Sequence, residues 1–193
     1  MRSLRDPLLL VALSFGFAAT SAGQQAHTTK VDNEFIQSQF GQTCKLISGP
    51  SVYVGDLDGD GVEDVVIPAR CTNPLGDQSE KSFKVIDPYN TFNGYGDIKL
   101  TTGFASEDPE GRGLSLLVIH GIGPEAWRAA EPKAKFVIIN LPYKQLAVKK
   151  LLLKKKTILA IYAEEAHEAE GEVSVVFWDG KKYRYQSLGS SLE

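Results

Sequence analysis

Asp56-Leu57-Asp58-Gly59-Asp60-Gly61-Val62-Glu63-Asp64, running straight into Val65-Val66-Ile67, is the stretch that decides how this chain is read. Aspartates stand at positions one, three, five and nine of the run, and glycine at position six. Carboxylates crowded this closely repel one another, so a compact loop needs a cation among them. Ca²⁺ takes six to eight hard oxygen ligands, and alternate aspartates plus a backbone carbonyl supply most of such a shell. Gly61 lets the chain turn with positive φ, which a residue bearing Cβ adopts only at a cost. The β-branched run that follows reads as a buried strand. A solvated acidic turn is the plainer alternative, but it needs neither aspartate at every second position nor glycine after the third.

An EF-hand begins the same way but closes on a bidentate Glu at position twelve, between two helices. Position twelve here is Ile67 and Pro68 follows it, so both the ligand and the exiting helix are missing. The run resembles instead the short Asp-x-Asp-x-Asp-Gly-x-x-Asp loop of FG-GAP and VCBS repeats, known from integrin-like β-propeller blades. That resemblance implies an incoming strand at Val52-Tyr53-Val54 and side-chain ligation of Ca²⁺ by Asp56, Asp58, Asp60 and Asp64. It also implies a carbonyl ligand from Val62. Propellers repeat their blade, usually four times or more. No second run of this kind occurs in the sequence, so the expectation is a calcium-stabilised β module and not a complete propeller.

The N-terminus reads as an export signal over residues 1–22. Arg2 and Arg5 precede the apolar stretch Leu8 to Ala19, and Thr20-Ser21-Ala22 offers small residues for cleavage. The stretch is short for a membrane span, which needs about 20 apolar residues. A soluble exported protein, periplasmic or extracellular, is expected, with no stable membrane anchor after cleavage. Losing Arg2, Arg5 and Asp6 with the leader moves the net charge from −3 to about −4, which gives nucleic-acid binding no support. Residues 23–31 read as a flexible segment, and 32–193 as a single domain large enough for a hydrophobic core.

Cys44 and Cys71 are the two cysteines, and they bracket the aspartate loop. In an oxidising compartment a disulfide between them would close a loop of about 28 residues, worth roughly 3.6 kcal/mol in the chain-entropy treatment. Two separate buried thiols are the other reading. A disulfide accounts for both residues together.

Elsewhere, Asp32 is placed to cap a short helix through Gln39, with Gly41 as its stop. Asn73 to Lys81 has loop composition, and Phe83 to Ile86 reads as a short strand ended by Asp87-Pro88. The aromatic, glycine-rich Tyr89 to Gly96 either lines a recognition surface or covers a sheet edge. Leu114 to Ile119, Phe136 to Leu141 and Ile158 to Ala163 read as strands, and Pro124 as the first turn of a short helix over Glu125 to Glu131. Lysines around Leu151-Leu152-Leu153 read as gatekeepers of a strand edge, with an anionic-ligand patch as the alternative. Val173 to Trp178 and Tyr183 to Gln186 flank Asp179-Gly180 as a hairpin. The expected fold is a β-rich α+β domain of about seven or eight strands and two short helices.

The search for chemistry beyond the loop finds little. His120-Gly121 lacks the Gly-x-Ser-x-Gly run an α/β-hydrolase needs, so His120 reads as a structural hydrogen-bonder. His27 and His167 form no zinc-binding pair with it. The expectation is an exported, non-catalytic calcium-binding module that is structural or binds a protein or glycan. The alternative is a small metal-dependent hydrolase using the aspartate loop.

Overall fold

Val65-Val66-Ile67 lies inside β3 (Asp64–Cys71), and it is apolar on every residue because the strand is covered on both faces. Successive side chains of a strand point to opposite sides. Val65, Ile67 and Ala69 accordingly join one core and Val66 another. The split repeats in β5 (Leu114–His120), with Leu117 and Ile119 on the first side and Leu116 and Val118 on the second. It repeats again in β6 (Ala134–Ile139), with Val137 and Ile139 against Phe136 and Ile138.

The structure is a computed structural model that describes residues 30–94, 111–141, 143–153, 156–166 and 172–190. The expected leader, most of the 23–31 segment, His27 and His167 lie outside the described residues. One sheet runs β1 (Cys44–Leu46), β3, β5, β6, β4 (Lys84–Ile86), with β2 (Tyr53–Gly55) also paired to β3. Its pairings are antiparallel except for β4 on β6. The second sheet is an antiparallel meander of β7 (Gln145–Leu153), β8 (Lys156–Glu164), β9 (Glu172–Trp178) and β10 (Tyr183–Ser190). Its inward residues Ile161, Ala163, Val176, Tyr183 and Tyr185 meet Val66, Leu116, Val118, Phe136 and Ile138 to form the core between the sheets. On the far side of the first sheet, α1 (Asn33–Phe40) buries Ile36 and Phe40.

Asp32 caps α1 as expected, its Oδ1 accepting from the Phe35 amide at 3.0 Å. Pro68 sits mid-strand without breaking the sheet. Its carbonyl accepts from the Ile47 amide, and in a strand the N and O of one residue point the same way. The missing N–H therefore falls on the side where β2 ends and β1 begins, and the ladder to β5 loses nothing. Cys44 lies directly across from Cys71 in the β1–β3 register, and the two form a disulfide.

The β-rich class stands, but among the described residues there are ten strands and three short helices where seven or eight and two were expected, in two open sheets with neither barrel nor propeller closure. Part of the excess is β1, which was not expected as a strand, while the lysine-flanked leucines lie in β7, an arm of the β7–β8 hairpin. β7 is the edge of its sheet with Lys149 and Lys150 exposed, which fits the gatekeeper reading. Asn73 to Lys81, read as loop, contains α2 (Pro74–Lys81). Asp77 of this helix accepts from the Thr43 amide and hydroxyl at 3.0 and 2.8 Å, so a tertiary contact fixes what local propensity leaves weak. Tyr89 onward, also read as loop, begins inside α3 (Pro88–Phe92), whose cap Asp87 accepts from the Asn90 amide at 2.9 Å. The helix expected over Glu125 to Glu131 is a single 3-10 turn, Gly123–Glu125. Ala126 takes φ of 55° there, and the Trp127 amide donates to the Glu63 carbonyl at 3.1 Å instead of continuing a helix. Burying Trp127 in the first core outweighs one short helix.

Candidate cation site

β2 and β3 pair from Gly55 opposite Asp64, so the aspartate run is the loop of a β-hairpin. The side chains of Asp56, Asp58 and Asp60 fold back on the loop's own amides, the hydrogen-bonded turn to which Asp is suited. Asp56 Oδ1 accepts from Gly59 at 2.7 Å and Asp60 at 3.1 Å, and its Oδ2 from Gly61 at 2.9 Å. Asp58 Oδ1 accepts from Asp60 at 3.2 Å, and Asp60 Oδ1 from Val62 at 2.8 Å. Gly59 and Gly61 take φ of 79° and 87°, conformations that favour glycine. Leu57 turns into the core between the sheets and Val62 packs against the other, so the loop is pinned on both sides of β3.

Asp64 anchors the loop. Its Oδ2 accepts from Leu57 at 2.7 Å and Asp58 at 3.3 Å, while Oδ1 accepts from Gly121 at 2.8 Å. Burial pushes this carboxyl up to about 6 in spite of the three amides. Gly121 is required by close approach. A Cβ there would strike the Glu63 carbonyl and lie 2.7 Å from the Ala126 carbonyl carbon and 2.8 Å from the Trp127 nitrogen.

Oxygens of Asp56, Asp58 and Asp60 converge within 4.8 Å of one another. At that spacing two unit charges repel by about 3.5 kcal/mol at the effective dielectric constant of about 20 that suits a protein surface, before added salt weakens it. The charge is met by Lys133, which stands just before β6. Its Nζ lies 2.7 Å from Asp58 Oδ2 and 2.6 Å from Asp60 Oδ2. The bridge holds the Asp60 carboxyl below its usual range and the Lys133 ammonium above its own. A second ammonium, that of Lys156, comes so near Gly59 that a Cβ there would lie 3.1 Å from it. The donor set is made of hard oxygens, and a tethered cation already stands between two of them, so these residues fit a hard divalent ion.

Behind the loop, His120 at the end of β5 presents Nδ1 to Asp58 Oδ2 at 3.2 Å and Nε2 to the Tyr183 hydroxyl at 2.7 Å. An ionised Asp58 only accepts, which favours the proton on Nδ1 and a hydroxyl donating to Nε2. Both partners are sealed from solvent, with the side chains of His120 and Asp58 2% and 3% exposed. Burial lowers the His120 pKa and raises that of Tyr183, favouring the neutral form of each. Phe136, Trp178 and Tyr183 pack around the imidazole with ring centroids 5.0–5.7 Å away.

Of the residues expected from the sequence, Asp56, Asp58 and Asp60 are brought together, and Val62 is placed by its amide on Asp60. Asp64 does not join that group. It converges with Asp58 and His120 instead, with both its oxygens engaged by amides. His120 reads from sequence as a structural hydrogen-bonder, and its contacts with Tyr183 and Asp58 are of that kind. Lys133 was not foreseen. It lies 73 residues beyond Asp60, and nothing local marks it out among the chain's lysines. No protein-family model, curated protein or solved structure matches this chain.

Proposed function

We propose that this is an exported, non-catalytic module whose aspartate loop binds Ca²⁺, with Asp56, Asp58 and Asp60 as its central ligands. The FG-GAP and VCBS resemblance adds the Val62 carbonyl and Asp64, although the Asp64 oxygens are held by the Leu57, Asp58 and Gly121 amides. The observation that carries the reading is the ammonium of Lys133 bridging Asp58 and Asp60 at 2.7 and 2.6 Å. Two loop carboxylates are set for a shared cation. Bound calcium would supply charge neutralisation and tie the β2–β3 turn together, which is a stabilising role. Export is supported by the Cys44–Cys71 disulfide. Among the described residues no helix is long and apolar enough to cross a membrane.

The alternative, a small metal-dependent hydrolase, draws on the acid–base pair Asp58–His120 beside the loop. The imidazole is walled in by three aromatic rings, which suits a structural role better than proton transfer to a substrate. Titration calorimetry of the chelator-stripped protein with Ca²⁺ tests the reading. Saturable binding, lost in Asp58→Ala, is expected. No heat of binding at millimolar calcium from a folded sample refutes it. A metal-dependent esterase, phosphodiesterase or glycosidase activity that disappears in a folded Asp58→Ala protein would establish the alternative.

A further inference from the structure

The core between the two sheets comes to the surface at one side, where both sheets end. There β4 is the edge of the first sheet and β10 the edge of the second, and α3 lies against β10. A cavity of about 340 Å³ opens between them. Its apolar wall holds Phe92, Phe136, Tyr183 and Tyr185. Phe92 is 57% exposed although its ring centroid lies 5.2 Å from that of Tyr185. An aromatic ring held against another and left open to water is a surface on which a flat ring can stack.

The same mouth is strongly basic in a chain whose net charge is −3. Lys84, Lys181, Lys182 and Arg184 all line it. Arg184 is answered by Asp179, its Nε 2.6 Å from Oδ2. The lone acid of the lining, Asp87, is buried and turned away to the Asn90 amide and the Asn90 and Asn140 side chains. Among the described residues no carboxylate pairs with Lys84, Lys181 or Lys182. Three unanswered ammonium groups around an aromatic wall select for negative charge on a body with an apolar face.

We propose that this cleft is a binding site for a small organic anion, a carboxylate carried on a ring. Phe92, backed by Tyr185, stacks the ring, and Lys84, Lys181 and Lys182 take the carboxylate. An aromatic acid and a uronic-acid sugar share this chemistry. No residue of the aspartate loop lines the cleft, so the experiment is run in EDTA and its failure leaves the calcium reading untouched.

Calorimetric titration with 2-naphthoate and with digalacturonate, beside the neutral 2-naphthalenemethanol and cellobiose, tests it. At least one anion should bind, at least about tenfold tighter than its neutral counterpart. Which anion binds identifies the source of the ring. The Lys84→Gln/Lys181→Gln/Lys182→Gln protein should keep its melting temperature and lose about tenfold or more in affinity, because these side chains are at the surface. Phe92→Ala should weaken binding as well. Absence of binding by both anions to folded protein at several millimolar overturns the proposal. So does equal affinity for the neutral compounds, or unchanged affinity in the triple variant.

Discussion

Asp64 and Asp179 each stand at one end of a β-hairpin loop, Asp64 closing its loop and Asp179 opening its own, and each accepts backbone amides. Asp64 takes those of Leu57, Asp58 and Gly121, and Asp179 takes those of Lys181 and Lys182. Their carboxyls nevertheless move in opposite directions, Asp64 up to about 6 and Asp179 down to about 2. Amide bonds lower both, so they do not explain the difference. Asp64 is buried, with solvent removed and Asp58 nearby, whereas Asp179 lies at the surface against the Arg184 guanidinium. One turn is anchored by placing its acid inside the protein. The other is closed by local pairs that water can replace.

The contrast is broken most directly by removing Asp64. Asp64→Ala leaves the Leu57 and Gly121 amides without their acceptor, and each buried orphan costs about 1–3 kcal/mol. Urea unfolding in EDTA should show a loss of about 2–6 kcal/mol, the sum for two orphaned amides. A loss below about 1 kcal/mol, the size expected for a surface pair, would remove the distinction between the two turns.

The disulfide adds to the first turn what the second does without. Cys44→Ala/Cys71→Ala should lower stability by about 2–4 kcal/mol. Non-reduced peptide mapping of the wild type should find the two cysteines linked, and free thiols in protein exported to an oxidising compartment would contradict the bond.

Lys133 is the next step down. Its side chain is 43% exposed, so Lys133→Met should cost no more than about 1 kcal/mol in chelator. Calcium entering between Asp58 and Asp60 has to displace that ammonium. The variant should therefore bind Ca²⁺ more tightly than wild type by calorimetry, and its melting temperature should rise further on adding calcium. Weaker calcium binding in a folded Lys133→Met protein would mean that the lysine supports the ion rather than competing with it.

How far these features could be read in advance follows from how local they are. The aspartate spacing, the β-branched run of β3, the Asp32 cap and the Asp-Gly hairpin each rest on neighbours within a few residues. α2 escaped because its helix is held by Asp77 reaching Thr43 across 34 residues. The helix expected after Pro124 gave way because the Trp127 amide is claimed by Glu63 from another part of the chain. Within the site the same rule separates the residues. Asp56, Asp58 and Asp60 announce themselves by pattern, while Lys133 and the role of Asp64 as an anchor on Gly121 depend on which strands the fold sets side by side.

The smallest effect tests the second turn. Asp179 has its carboxyl held down to about 2, first by the hydrogen bond from Arg184 and then by the Lys182 amide, against an ordinary value near 3.8. A depressed carboxyl means the unfolded chain binds more protons than the native one between those values, so stability falls as the solution is acidified through that window. The contribution is fully present above about pH 4 and lost towards pH 2. Because the side chain is at the surface, solvent and salt screen the pair, and its worth is below about 1 kcal/mol. Asp179→Asn should lie slightly below wild type in urea stability at pH 5, and the two curves should converge as the pH approaches 2. High salt should narrow the gap at pH 5. A gap that stays constant across the window would show that the difference between Asp179 and Asn does not come from the charge that sets this turn apart from Asp64.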